Sequence, residues 1–182
     1  MADSGKTYIR CLFCLTGKEE SVVSRITNAD LGTAFHPRKI KPFFKNGKWE
    51  DVPVSLLPGY VFVISETPVP LNQLGHIPDV IRPLTYGPED HDGYLSGQDR
   101  ALVLWLMQEN GLVGNLDMVK EGRQIRIISG LLKDLNGRVL KVDRRKRLAN
   151  VELEVVGSIH SLWLGVNFLE PSDHTTSDGV NN

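Results

Sequence analysis

The sequence predicts an α+β module followed by a small all-β barrel, and three observations carry that reading. Residues 7–108 alternate strand-like apolar runs with amphipathic or apolar helical stretches. From Ile125 onward the only period is two, the signature of half-buried strands. The turn signals Asn136-Gly137 and Val156-Gly157-Ser158 then divide this last part into four or five short strands with no helical stretch. A chain of 182 residues that is 41% hydrophobic can fill two such small cores.

The first module opens on Thr7-Tyr8-Ile9-Arg10-Cys11-Leu12-Phe13-Cys14-Leu15, rich in strand formers and read as a buried strand. Thr16 and Glu19 have capping-box spacing, and Val22, Val23 and Ile26 supply one apolar face, predicting a helix of about ten residues. Phe35 to Ile40 and Trp49 to Val54 flank Asn46-Gly47, a pair suited to the positive backbone angles of a tight turn, so a projecting hairpin is expected. After Pro58-Gly59, the run Tyr60-Val61-Phe62-Val63-Ile64 reads as a central strand. Residues 68–77 suit a short helix, and Val80 to Leu84 an edge strand that tolerates Pro83. Ser96 and Asp99 repeat the capping-box logic before the apolar run 101–107, which Asn110-Gly111 stops.

In the second module Ile125, Ile127, Leu140, Val142, Val151, Leu153, Val155, Leu162 and Leu164 alternate with polar neighbours and form the expected interior. The resulting layout is residues 1–110 as the α+β domain, 111–120 as a linker, 121–171 as the barrel and 172–182 as a disordered tail poor in apolar residues.

The net charge of −1 conceals a local excess. Residues 1–120 hold 12 basic and 14 acidic side chains, whereas 121–170 hold 9 and 6, and four of those nine cations are consecutive: Arg144, Arg145, Lys146 and Arg147. On a loop such a run can follow a phosphate backbone or stack its guanidinium planes on unpaired bases, although a solvated charged turn has the same composition. A second basic stretch, Arg38, Lys39, Lys41, Lys45 and Lys48, contains no acid and is interleaved with Phe43, Phe44 and Trp49. It suits DNA phosphates or exposed bases, or equally an edge kept soluble by lysines.

Cys11 and Cys14 lie three apart on a strand and should face opposite sides, which argues against a shared disulfide or metal. Histidines 36, 76, 91, 160 and 174 have no ligand spacing, and neither a nucleophile with its base nor a phosphate-binding glycine loop is visible. No enzyme, cofactor or metal is expected. No window approaches the roughly 18 apolar residues of a membrane span, and the first residues lack a signal-type apolar core, so a cytoplasmic monomer with no membrane association is expected.

Several runs resemble the NusG family of transcription elongation factors. Leu57-Pro58-Gly59-Tyr60-Val61-Phe62-Val63 is similar to the PGY-containing strand of the family's N-terminal domain, with Tyr8 and Thr16-Gly17-Lys18-Glu19-Glu20 where its first strand and helix stand. Ile77-Pro78-Asp79-Val80 looks like a later family segment. Gly130 to Leu135 followed by Asn136-Gly137-Arg138-Val139 resembles a KOW motif, which implies an SH3-like barrel. The likeness runs from about Tyr8 to Glu170. The combination of TGKEE, His36-Pro37-Arg38, the Asn-Gly hairpin and Asp143-Arg144-Arg145-Lys146-Arg147 is similar to LoaP-type antiterminators, while Val155-Val156-Gly157 stands where housekeeping members carry an aromatic residue that meets a ribosomal protein.

The resemblance implies a processive antitermination factor. Tyr8, Leu57, Tyr60 and Phe62 would bind the clamp helices of the largest RNA polymerase subunit. Lys133, Arg138, Lys141 and the run 144–147 would bind nascent RNA, including a hairpin, and Arg10, Arg38, Lys39 and Lys41 would contact non-template or upstream DNA. The competing readings are a general NusG whose KOW domain recruits protein partners, a thiol oxidoreductase built on the two cysteines, and a KOW-bearing ribosomal protein, which leaves residues 8–108 unexplained.

Overall fold

The structure is a computed structural model that describes residues 7–121, 124–129 and 138–169. Its first sheet is antiparallel, with β5 (Tyr60–Ser65) and β1 (Tyr8–Cys14) at the centre and β2 (Thr33–Phe35) and β6 (Val80–Pro83) at the edges. Tyr60 to Ile64 are all buried, as a strand covered on both faces requires. Period-two alternation divides its neighbours between two cores. Leu12, Cys14, Val61 and Val63 pack with Val22 and Ile26 of α1 (Glu19–Asn28) and with Leu74 of α2 (Leu71–Gly75). Ile9, Cys11, Tyr60, Phe62 and Ile64 face the other way, toward Leu102, Val103 and Leu106 of α3 (Gly97–Gln108).

A separate hairpin, β3 (Arg38–Lys45) and β4 (Lys48–Ser55), turns on Asn46 and Gly47, both at positive φ (51° and 78°), as expected for that dipeptide. The single strand anticipated over residues 35–40 is broken at His36-Pro37, so Phe35 ends β2 while Arg38 begins β3. The expected linker 111–120 is largely strand. β7 (Leu112–Val113) runs parallel to β3, and β8 (Leu116–Glu121) belongs to the second module's sheet because Leu116 and Met118 are apolar and fully buried. That sheet has the order β10-β11-β12-β8-β9, from β9 (Gln124–Ser129), β10 (Arg138–Asp143), β11 (Leu148–Val155) and β12 (Ser158–Leu169). Leu140 was expected in its interior, but a bulge between Val139 and Lys141 inserts one residue and turns Leu140 outward. Residues 130–137, where the sequence resembles a KOW motif and Lys133 lies, and residues 172–182 are outside the described residues.

Both predicted capping boxes are used differently. No side chain caps α1 or α3. Glu19 instead accepts from the Gly17 and Gly59 amides, both at 2.7 Å, tying the helix start to the turn before β5. Burial pushes its carboxyl up, but the backbone amides of Glu19 itself, Gly59 and Gly17 prevail and hold the pKa below its ordinary value. Gly59 sits at φ +84°, and a Cβ there would come within 2.8 Å of the Phe13 ring, so this glycine serves packing.

Among the described residues no helix is long and apolar enough to cross a membrane.

Candidate functional site

The two modules share one continuous core. Leu102, Val103 and Leu106 belong to the same apolar cluster as Val151, Leu153, Val155 and Leu162 of the second module, and Leu102 and Leu153 line one cavity at the junction. Tyr60 lies in this junction, 8% exposed, with the ring of His160 packed edge-on at 5.1 Å and that of Phe13 at 5.6 Å. Burial raises the pKa of the Tyr60 phenol and lowers that of the His160 imidazole, whose Nε2 is buried with no hydrogen-bond partner.

Polar contacts flank the apolar centre. The Asp99 carboxylate accepts from the Val156 amide at 3.0 Å and, through its other oxygen, from the Tyr86 hydroxyl at 2.8 Å. Val156 and Gly157 form the β11–β12 turn with φ of 47° and 72°, and a β-branched residue in that region is strained. The Asp99 bond helps hold it there. A second link between the modules is Lys39 Nζ, which donates to the Trp163 carbonyl at 2.8 Å.

Of the four residues assigned to polymerase binding, Leu57, Tyr60 and Phe62 share the covered core. Tyr8 does not join them. It pairs with Ser65, lies on the opposite face of β1 from Cys11 and Phe13, and stacks on Tyr94 with ring centroids 5.1 Å apart. Phe62 is wholly buried against Phe35, a packing role that composition could not distinguish from an anchor.

Arg10, assigned to DNA, is 5% exposed, with its guanidinium carbon 3.9 Å from the Tyr94 ring centre and Nε and Nη1 without hydrogen-bond partners. It braces the loop after β6 from beneath and presents nothing to a duplex in this conformation. Arg38, Lys39 and Lys41 do share β3. Alternation sets Lys39 and Lys41 on one face and Arg38 on the other. Burial, and secondarily the charge of Lys41, lower the pKa of Lys39.

The cations assigned to RNA are presented openly. Arg144, Arg145, Lys146 and Arg147 form the exposed turn between β10 and β11, shaped by the Lys146 amide donating to Asp143 Oδ1 at 3.0 Å. Lys141 is exposed, and Arg138 pairs with Glu152 at 3.3 Å. Cys11 and Cys14 are reduced and buried in the two different cores. Burial raises both thiols, Cys14 to about 11, so neither is a ready thiolate. The sequence did not mark His160 or Asp99 as inter-module contacts: Asp99 read as a helix cap, and His160 as a structural or solvated side chain without ligand spacing.

No protein-family model matches the sequence, and no curated protein matches it. Among solved structures, NusG from Thermotoga maritima, in a structure concerned with its domain interaction, aligns over 88% of this chain and 94% of that one, with 18% identity and a TM-score of 0.51. The fold is NusG-like. An Spt4:Spt5 complex, MjSpt4:Spt5 in its conformation A, aligns over 87% of this chain and 99% of that one with 16% identity and a TM-score of 0.28.

Proposed function

We propose that this chain is a non-enzymatic transcription elongation factor of the LoaP antiterminator type, whose first module binds RNA polymerase through the Tyr60 surface and whose KOW-like module binds nascent RNA. The observation that carries the reading is the solvent-exposed turn of four consecutive cations at 144–147, whose neighbouring acid, Asp143, is already engaged by the Lys146 amide. A solvated turn needs no such density, whereas a phosphate backbone rewards it. The NusG-like fold supports the same reading.

Tyr60 packs on His160 of the second module within one continuous core, so polymerase binding through the Tyr60 surface requires the modules to part. The docked arrangement is then the resting state, and polymerase selects the opened one by its differential affinity. Bridging contacts made only to a closed, processive polymerase would disfavour the paused state in the same way.

The test uses the full chain. Replacing all four turn cations with alanine should flatten the log–log salt dependence of binding to a stem-loop RNA by about three units, at about 0.7 per phosphate contact, and leave polymerase co-purification intact. Asp99→Ala, which removes the Val156 acceptor, should increase that co-purification. Equal salt slopes for wild type and the four-alanine variant would sink the RNA reading, and unchanged polymerase capture by Asp99→Ala would sink the opening step.

A further inference from the structure

The strand register sets Lys141, Asn150 and Trp163 side by side across β10, β11 and β12. Directly paired residues of antiparallel strands project from the same face, so these three side chains form one transverse row. Trp163 is a large aromatic left 41% exposed. The row does not end at the module boundary, because the Trp163 carbonyl takes the ammonium of Lys39 from the first module's hairpin. From Lys39 the same face of β3 continues through Lys41, Phe43 and Lys45, and Phe43 is 51% exposed.

Charge is distributed unequally around this row. Toward one end of β11 lie Glu152, neutralised by Arg138, and Glu154 opposite Ile159. Toward the other end lies the 144–147 turn. The exposed indole thus stands between cations of two modules on the basic side of the sheet.

We infer that Trp163 is the base-stacking residue of a single-stranded RNA track that crosses both modules, with Lys39 and Lys141 holding phosphates on its two sides and Phe43 stacking a further base on the hairpin. Single-stranded nucleic acid is the ligand that combines planar apolar faces with a regular negative charge, and aromatic residues among cations match both. RNA is favoured by the polar pair beside the indole: Ser161 Oγ donates to Asn150 Oδ1 at 2.7 Å, which leaves the Asn150 NH2 to donate and the Ser161 oxygen to accept at a 2′-hydroxyl. The approach of Lys39 to Lys41, which contributes to the lowered Lys39 pKa, is also relieved by an intervening phosphate. This inference rests on the reading that the second module binds RNA, and it assigns the track to the docked resting state, before polymerase parts the modules.

The experiment titrates full-length protein with a 12-residue oligouridylate, following Trp163 as the remaining indole after Trp49→Phe and Trp105→Phe. Should those changes unfold the chain, 19F spectra of wild-type protein carrying 5-fluorotryptophan give the same readout. Saturable quenching or shift of the Trp163 signal is expected. Trp163→Ala should weaken binding about tenfold and Trp163→Phe about threefold or less, while Lys39→Gln should lower the salt slope by about 0.7. An unmoved Trp163 signal, or unchanged affinity in Trp163→Ala, would overturn the track. Equal affinity for oligothymidylate would overturn its assignment to RNA. If the four-alanine turn variant loses RNA while Trp163→Ala does not, the track fails and the proposed function stands; if the oligonucleotide and the stem-loop RNA both fail to bind, the two fall together.

Discussion

The covered face around Tyr60 and the open edge around the 144–147 turn are both candidate binding surfaces, yet they are held in opposite states. Around Tyr60, aromatic and aliphatic groups from two modules exclude water, and polar links such as Asp99 to Val156 and Lys39 to Trp163 join the modules. Around the turn, four cations remain exposed to solvent. An apolar surface gains free energy by covering itself when no partner is present, whereas a run of like charges gains nothing from being buried. The same physics that would suit Tyr60 to the proposed polymerase contact makes it the site where the protein folds onto itself.

If the apolar junction dominates the docking, the largest effect should come from its centre. Leu102 is almost wholly buried and shares the junction cavity with Leu153. Leu102→Ala is expected to cost about 2–5 kcal/mol, by lost transfer energy and the space left behind. In denaturant titrations it should separate the unfolding of the modules or lower their common midpoint. A midpoint within error of wild type would mean that Leu102 contributes little to the junction.

A smaller effect, dependent on conditions, is expected at His160. Its imidazole is half-buried, with Nε2 covered and without a hydrogen-bond partner, and this burial depresses its pKa below the ordinary 6.5. Separated or unfolded chains bind the proton more readily than the docked form, so docking stability is fully present above about 6.5 and falls as pH drops from there toward the depressed docked value. Amide exchange at the Tyr60 strand, measured as a function of pH and corrected for the intrinsic rate, should show opening favoured below that point. His160→Phe retains a ring against Tyr60 and should remove the pH dependence; if it persists unchanged, another group is responsible.

The same contrast explains what was legible in the sequence. The apolar periodicities of β1, β5, α1 and α3 fix those elements, because local burial patterns follow directly from alternation or helical spacing. Asn46-Gly47 similarly announced its hairpin, since positive φ at both positions leaves few residue choices. The charged turn could be read because four adjacent cations exclude a core position. Junction residues could not be read: Tyr60 and Leu102 have the composition of an ordinary core, and which part of the chain covers them depends on contacts far apart in sequence. Asp99 illustrates the ambiguity, since its spacing from Ser96 suits a cap, but its carboxylate is taken by residues 13 and 57 positions away. Arg10 misled for the converse reason, as an arginine on a strand gives no local sign that Tyr94 will lie over it. Leu140 was displaced by a bulge, which alternation does not encode.

The smallest expected effect tests the edge of the junction, where the strained turn meets Asp99. Val156 occupies φ +47°, a conformation that costs a non-glycine residue about 1–2 kcal/mol. Glycine at this position would relieve that strain, so a turn that served only to connect β11 and β12 should be stabilised by Val156→Gly. But the side chain is 9% exposed and belongs to the shared core, where burying a valine contributes about 1.5–3 kcal/mol. Val156→Gly retains the amide that donates to Asp99, so the hydrogen bond does not enter the difference. The burial loss should exceed the strain relief, leaving the docked protein less stable by about 1 kcal/mol. Denaturant midpoints of the full chain, compared with and without Asp99→Ala, measure this difference and its coupling to the Asp99–Val156 hydrogen bond. A more stable Val156→Gly protein would show that the turn's side chain contributes less to docking than its strain costs, and would shift the hold between the modules to Tyr60, His160 and Leu102.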